Sequence, residues 1–557
     1  MKFNGARIIV ESLKKEKVDT IFAYTGGAVI PVFDEFFKNG KEIKIIQTRH
    51  EQAGTHAADG YARVTGKPGV VLVTSGPGAT NTVTGIATAF MDSIPMVIIT
   101  GQVSTSMIGT DAFQEVDTTG ITQPITKANF LVTDIHELST TIKKAFHIAS
   151  TGRKGPVLID IPVDIQKTET EYFYPDVINI ESYKPKIHGH PKQIKKAMEL
   201  LQESKKPLIL SGGGVISSRS VKLVNEFSKR NNIPLVTTLQ GHGTFPSEDL
   251  YIGSIGMHGT VYGNYAVQNS DLLIALGVRF SDRITGDRNT FCKKAKIIHV
   301  DIDPAEIDKN IEIDVPIVGD IRNVLNGFLK FKLSETNFSD WNNELSSKKS
   351  ENPLCYEKTY EIKPQYLIEL VNKYFNEDTI VIADVGQNQM WTALFYKFKK
   401  PNTFLTSGGL GTMGFALPAA IGAKFAKPEK EVVVIVGDGG FQMNIQELMT
   451  ISQYKLKIKI LVLDNSSLGM VRQWQQLFFG ERYSGTLLEF NPSFKKIADA
   501  VGISAETLSD INKSEDLIKT FAEADEPMLI HAMIAKNEIV LPMVPAGGSI
   551  DKGISNT

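Results

Sequence analysis

Short runs of β-branched and other apolar residues alternate with longer helical patterns along the whole of this 557-residue chain. The runs are Val70–Thr74, Met96–Thr100, Val157–Ile161, Leu208–Leu210, Leu272–Leu276, Ile297–Asp301, Ile380–Ala383, Val432–Val436 and Ile458–Leu463. A run that is apolar at nearly every position has no face to offer water, so it reads as a strand covered on both sides in a parallel sheet. Parallel neighbours need a crossover of a dozen or more residues, normally a helix. The expected fold class is therefore α/β, built of βαβ units. At roughly 150 residues per domain, length alone suggests three to four domains. Two stretches break the pattern: Thr168–Pro191, aromatic and proline-containing, and Ser334–Lys363, which is polar. Both read as linkers. They leave three blocks, 1–167, 190–333 and 361–557. At the start, Ala6, Ile9, Val10 and Leu13 recur at helical spacing among charges, the pattern of an amphipathic helix rather than a signal or transit peptide.

Composition narrows the function classes. Lys plus Arg number 60 and Asp plus Glu 62, for a net charge of −2. Neither nucleic acid nor an anionic membrane is expected as the main partner of such a chain. The two cysteines, Cys292 and Cys355, lie far apart and form no CxxC, which argues against a disulfide framework or a structural zinc site. No apolar run approaches the ~18 residues of a membrane span. A chain of this kind, if complete, is expected to stay in the reducing cytoplasm where it was made.

The third block carries the most informative motif. Gly437, Asp438 and Gly439 directly follow one expected strand, and a second strand ends in Asp464 and Asn465. One strand end thus offers a carboxylate and a later one a carboxamide. Mg²⁺ takes hard oxygen ligands in octahedral geometry and shares phosphate oxygens with what it binds. Asp438 and Asn465 would supply two side-chain ligands, and a backbone carbonyl near Ser467 a third. Gly437, Gly439 and Gly440 would let a diphosphate approach the backbone. A helix beginning near Asn444 would aim N–H groups at it. The spacing is similar to the GDG-to-Asn signature of thiamine-diphosphate enzymes. GDG alone is equally an aspartate at a tight strand-to-helix turn; the second strand end separates the two readings. Nearby, Gly409, Gly411 and Gly414 spell GxGxxG, and Asp438 stands roughly where a dinucleotide fold places its ribose-binding acid. Such an acid needs neither glycine on both sides nor a partner at Asn465, so a nicotinamide dehydrogenase is a secondary reading.

Thiamine chemistry also requires a carboxylic acid that protonates the aminopyrimidine, so that the cofactor's own imino nitrogen can deprotonate the thiazolium. Glu51, in IIQTRHEQAGTHAADGYAR, follows an apolar run and stands at an expected helix start. Burial would raise its pKa, which suits a proton-sharing role. The alternative is an ordinary glutamate stabilised by a helix N-terminus.

With these residues in place, the chain resembles the catalytic subunit of acetohydroxyacid synthase, also called acetolactate synthase. The resemblance covers nearly the whole chain through RHEQAGTHAADGYAR, TSGPGATN, IGTDAFQE, ITQPITK, GPVLIDIP, GMHGT, GVRFSDRITG, VDIDPAEI, VGQNQMW, LTSGGLGTMGFALPAAIGAK, GDGGFQMN, GMVRQWQ and VLPMVPAGG. It implies three flavodoxin-like or Rossmann-like α/β domains. The first would bind the aminopyrimidine of thiamine diphosphate, the middle one FAD, and the third the diphosphate and Mg²⁺. The active site would form between the first domain of one subunit and the third of another, so a homodimer or homotetramer is implied, with a separate regulatory small subunit common in the family. The implied substrates are the 2-oxo acids pyruvate and 2-ketobutyrate.

By motif, Glu51 is the cofactor-activating acid, and Asp438 and Asn465 bind the metal. Met413 wedges beneath the cofactor; otherwise it is a core methionine. Gly26, Gly27, Val385, Gly386, Gln387 and Gly411 line the cofactor site. Phe113, Gln114, Met257 and Val163 stand at the substrate pocket. Arg279 resembles the arginine that grips the acceptor carboxylate, and Trp474 the residue that favours 2-ketobutyrate; either could instead be structural. Arg279, Asp301, Asp320 and Gly212, Gly213 and Gly214 fit a flavin site, which marks the biosynthetic rather than the fermentative form. The sequence departs from the family at Val163, where lysine is usual, at Asn388 in GQNQMW, at Ser281, where Asp is common, and at His242 in QGHGTFP. A thiamine- and FAD-dependent pyruvate oxidase and a catalytically silent paralogue are the remaining alternatives.

Overall fold

The computed structural model describes residues 1–244, 249–334 and 336–555. Phe245 and Pro246 of QGHGTFP, and Glu335 of the second expected linker, lie outside them. All nine apolar runs are strands, within a residue or two at each end, and the N-terminal amphipathic segment is the helix Gly5–Lys15. The strands form three six-stranded sheets in which every neighbouring pair is parallel. The class is α/β, as the pattern predicts.

The first sheet runs Lys44–Gln47, Thr20–Tyr24, Gly69–Val73, Met96–Gln102, Pro156–Pro162, Ala128–Leu131. The third runs Phe404–Leu405, Ile380–Ala383, Val432–Gly437, Ile458–Asp464, Met528–Met533, Ser504–Leu508. Counted within each domain, both have the strand order 2-1-3-4-6-5. The middle sheet differs: Tyr251–Ser254, Leu235–Thr237, Pro207–Ser211, Leu272–Leu276, Lys296–Asp301, Val315–Val318, or 3-2-1-4-5-6, the order of dinucleotide-binding folds. Most strands without a strong apolar run are edge strands. Lys44–Gln47, Ala128–Leu131 and Ser504–Leu508 are partly exposed and mix polar residues into the strand.

Both expected linkers are docked on domains. In the first, Glu169–Glu171 pairs antiparallel with Lys2–Asn4, and Tyr172 and Tyr183 pack on the first domain's outer core. The second contains the helix Ser339–Glu351, whose Trp341 and Leu345 are buried against the middle sheet; Trp341 Nε1 donates to Pro207 O at 3.0 Å. Two apolar residues one turn apart in a polar stretch suffice to seat it. The C-terminal segment also crosses to the middle domain, where Val544 N donates to Met257 O (2.7 Å) and Asp287 N to Gly548 O (3.0 Å).

First and third domains share one hydrophobic core. The helix Glu51–Thr65 lies against the helix Ala416–Ala426 with backbones in near contact: a Cβ on Gly60 or on Gly422 would overlap Ala419 O or Ala57 O, respectively. The small residues of HAADGYA and ALPAAIGA are therefore an interface. Beside it, buried Arg63 pairs with Asp59 (2.5 Å) and Asp92 (2.8 Å), and Asp92 accepts the N–H groups of Gly408 (3.0 Å) and Gly409 (2.7 Å). Among the described residues no helix is long and apolar enough to cross a membrane.

Candidate active site

In open parallel sheets, ligands bind beyond the carboxyl ends of strands where the order reverses. Each of the three sheets has its sequence-selected residues at that point. Gly26 and Gly27 follow Thr20–Tyr24, beside the Thr74–Gly78 turn after Gly69–Val73. Gly212–Gly214 follow Pro207–Ser211, against Gly277 after Leu272–Leu276: a Cβ on Gly214 would stand 2.7 Å from Gly277 Cα, and one on Gly212 would overlap Gly277 O. Val385–Gln387 follow Ile380–Ala383, next to Asp438 after Val432–Gly437.

The third-domain cluster is held from below by Asp384, which motif reading missed. Its buried carboxylate accepts N–H from Val385 (2.9 Å), Gly414 (3.0 Å) and Ala416 (2.9 Å), and so fixes the loop that carries Gly411 and Met413. Burial outweighs these bonds and pushes its pKa up to about 6. Gly440 must be glycine because any Cβ would overlap the Asp384 carboxylate. Met413 is half-buried rather than a core methionine, and its Cε would lie 3.4 Å from a Cβ on Gly439. The helix after GDG begins at Asp438 itself and ends at Met443, not near Asn444 as expected. Asn444 separates this helix from the next turn and donates to Gly414 O at 2.7 Å, a second tie on the Met413 loop.

Asp438 is 1% exposed. Burial and the adjacent Asp464 charge push its carboxyl up to about 7. Burial works against Asp464 too, but the hydrogen bonds from His531 Nε2 (2.7 Å) and Ser466 N (2.8 Å) hold it below the usual range. Asn465 Nδ2 donates to Gln387 Oε1 (3.1 Å), and Gln387 Nε2 to Gln473 Oε1 (2.9 Å) and Glu538 O (3.0 Å). This chain turns Asn465 Oδ1 the other way, where it accepts from Ser467 Oγ at 3.1 Å. Asp438, Asn465 Oδ1 and the Ser467 carbonyl are hard oxygens, and a cation beside Asp438 would relieve its buried charge, so the residues fit a small dication. Among the described residues no three His, Cys, Asp or Glu side chains gather as a metal site, which leaves this mixed set. Asn388 donates to Asp384 O and Ile435 O, both at 3.0 Å, and so braces the strand ends.

Glu51 begins its helix as expected, with His50 as cap. It is half-buried in the single chain, not enclosed, because its helix start faces outward at the sheet's carboxyl edge. It accepts a hydrogen bond from Asn81 Nδ2 at 3.0 Å, and its Oε1 would lie 3.6 Å from a Cβ on Gly78. Gln114, in a left-handed conformation, packs on Gly76 of the same turn. Phe113 is 88% exposed, and Val163 begins the short helix after Pro156–Pro162. Gly26, Gly27, Glu51 and Gln114, with exposed Phe113 beside them, thus form a first-domain half-site open to solvent, while Val163 stands after a strand two places along the sheet from Gly69–Val73.

The other half opens into a cavity of about 760 Å³ between the three domains. Val385, Gly386, Gly411 and Met413 line one end, with Trp474 and Met257. Gly213, Gly214, Arg279, Asp301 and Asp320 line the other, where burial pushes Asp301 up to about 7 and lowers the pKa of Arg279. None of the first-domain half-site lines it. Arg279 forms no ion pair among the described residues; the charges that act on it are those of Arg153, Asp92, Glu306 and Asp301. The arginine beside Trp474 is instead Arg283. Its guanidinium lies 6.0 Å from the indole centroid and 3.8 Å from Met257 Sδ, and its side chain is 56% exposed. RFSDR holds two arginines four residues apart, and sequence alone could not say which faces the indole.

The comparisons agree with this architecture. The chain matches three family models: Thiamine pyrophosphate enzyme, N-terminal TPP binding domain (residues 3–121), central domain (194–328) and C-terminal TPP binding domain (384–532). It is 48% identical over 559 residues to the probable acetolactate synthase large subunit of Methanocaldococcus jannaschii, covering 98% of this chain and 94% of that one. It is 47% identical to the acetolactate synthase large subunit of Corynebacterium glutamicum (98% and 89% covered) and 44% identical to that of Lactococcus lactis (99% and 96%). The chain belongs to the acetolactate synthase large-subunit family of thiamine pyrophosphate enzymes.

Proposed function

We propose that the chain decarboxylates pyruvate and joins the two-carbon unit to a second pyruvate or to 2-ketobutyrate, making 2-acetolactate or 2-aceto-2-hydroxybutyrate on the route to branched-chain amino acids. The observation that carries this reading is the one cavity that runs from Val385, Gly386 and Met413 to Met257, Arg283 and Trp474. Thiamine diphosphate, when bound, would supply the thiazolium carbon needed for decarboxylation of a 2-oxo acid and transfer of its remaining two carbons. Asp438, Asn465 and the Ser467 carbonyl hold Mg²⁺, and with it the diphosphate, at the strand ends. Met413, beside Gly439, would support the cofactor. Glu51 holds a proton for the aminopyrimidine. Arg283 takes the acceptor carboxylate, a pairing that is strong and can be bidentate, while the Trp474 face meets its alkyl end. Arg279, Asp301, Asp320 and Gly212–Gly214 hold FAD at the middle sheet, whose 3-2-1-4-5-6 order suits a dinucleotide.

Glu51 and the cavity sit in separate half-sites, which supports a homodimer in which a second copy brings Glu51, Phe113, Gln114 and Val163 to this Met413. The relatives' name, large subunit, supports a separate regulatory partner, and we place the enzyme in the cytoplasm. The test is acetolactate formed from pyruvate with thiamine diphosphate and Mg²⁺, with FAD supplied or stripped. FAD-dependent acetolactate, lost in Glu51→Gln with the melting temperature unchanged, is expected. Acceptor-dependent oxidation of pyruvate with little acetolactate would make the protein a pyruvate oxidase instead.

A further inference from the structure

Asn491 belongs to none of the motifs above, yet its side chain bridges the two carboxylates of the GDG and Asp-Asn strand ends. Nδ2 donates to Asp438 Oδ2 at 2.6 Å and to Asp464 Oδ1 at 3.0 Å. An amide nitrogen carries two hydrogens, so each carboxylate receives one. The amide cannot turn over: Asn491 Oδ1 accepts from Gln442 Nε2 at 3.1 Å, and that same Nε2 donates to Asp438 O at 3.1 Å. A flipped amide would set its oxygen against two carboxylates and its NH₂ against that of Gln442. The residue is also delivered rigidly. The segment before it is clamped to the loop that carries Ser467, with Leu468 N donating to Thr486 O (2.8 Å) and Leu488 N to Ser466 O (2.9 Å).

Two consequences follow for a cation at Asp438. Both Asp464 oxygens already have donors, Oδ1 from Asn491 and Ser466 and Oδ2 from His531, which disfavours it as a second carboxylate ligand. Asp438 Oδ2 already accepts the short bond from Asn491, which leaves Oδ1 as the freer oxygen to meet a cation. Ca²⁺ takes six to eight oxygens and gains from carboxylates that chelate with both; Mg²⁺ demands a tight octahedron and takes one oxygen from each ligand. We propose that Asn491 is a positioning residue that makes Asp438 a one-oxygen ligand and thereby sets the preference of this site for Mg²⁺ over Ca²⁺. The inference rests on the reading of Asp438 as a metal ligand.

The test is binding rather than turnover. MgCl₂ and CaCl₂ are titrated separately into the FAD-loaded protein with saturating thiamine diphosphate, by calorimetry, for wild type, Asn491→Ala, Gln442→Met and Asp438→Asn. Partners that orient a ligand typically change metal affinity by about 10- to 100-fold. Asn491→Ala is expected to lower the Mg²⁺-to-Ca²⁺ affinity ratio about tenfold. Gln442→Met, which frees the amide to turn but keeps it, should shift the ratio the same way by less, and it carries the test if Asn491→Ala fails to fold. A ratio unchanged in both variants, or both ions weakened by one factor, overturns the proposal. Asp438→Asn should lose both ions; if it binds them as wild type does, the metal reading itself fails, whatever Asn491 does.

Discussion

Asp384 is the residue on which the Met413 loop rests, and its replacement has a computable cost. Its Oδ1 accepts from Val385 N and Gly414 N, and its Oδ2 from Ala416 N, the last two bonds buried and the first partly so. Asn keeps one acceptor oxygen, so one side must face an N–H with its own NH₂. With the oxygen at the Oδ1 position, Ala416 N is left unpaired, at about 1–3 kcal/mol, and the two remaining bonds lose their charge assistance. Asp384→Ala strands all three donors and should cost about 3 kcal/mol or more. The cost is also pH-dependent. The native carboxyl titrates at about 6 against 3.8 unfolded, so the native state binds the proton more tightly within that window. The wild type's contribution from this group is fully present below the unfolded value and is lost as pH rises to about 6. Asn does not titrate. The stability gap between wild type and Asp384→Asn should therefore narrow by about 1 kcal/mol from pH 5 to 6 and level off about one pH unit higher. Denaturant unfolding of the cofactor-free protein at both pH values, with hydrogen exchange across Gly411–Ala416, measures each part. An Asn variant with wild-type stability and unchanged exchange, or a gap that widens with pH, would refute the reasoning.

Two further outcomes follow from the cavity. Gly212→Ala puts a methyl group into the Gly277 backbone, which cannot yield as a flexible side chain would; overpacking of about 1–3 kcal/mol is expected, read as a lower melting temperature and flavin lost on purification, and full flavin at an unchanged melting temperature contradicts it. Arg283→Ala should raise the KM for the acceptor, costing about 2 kcal/mol or roughly thirtyfold in kcat/KM, with flavin retained. Arg279→Ala should instead lose flavin, and the reverse pattern would return the acceptor to Arg279.

The sequence by itself determined the fold class and the enzyme family, and it marked most of the candidate site residues. Nine short apolar runs bounded by helical patterns read as strands buried on both faces, and glycines after strands mark where backbone approaches backbone, so the strand-end positions of GDG, Asp438–Asn465 and Gly212–Gly214 were legible locally. Glu51 was legible as a residue type at a helix start, because that depends on its neighbours in the chain. What tertiary structure decided is everything that joins distant segments. HAADGYA and ALPAAIGA carried the family resemblance without any structural assignment, and only packing shows that their small residues fuse the first and third domains. Asp384 and Asn491 carry no motif; their roles come from N–H groups and carboxylates brought together from other strand ends. Trp341 and Leu345 made no apolar run, yet burial of two side chains one turn apart turns an expected linker into part of the middle domain. Whether Arg279 or Arg283 faces Trp474 depends on how one short turn meets a helix from another domain. Local periodicity is set by solvent exposure along one element, whereas a site shared between domains is set by the close packing of several, and no single segment encodes it.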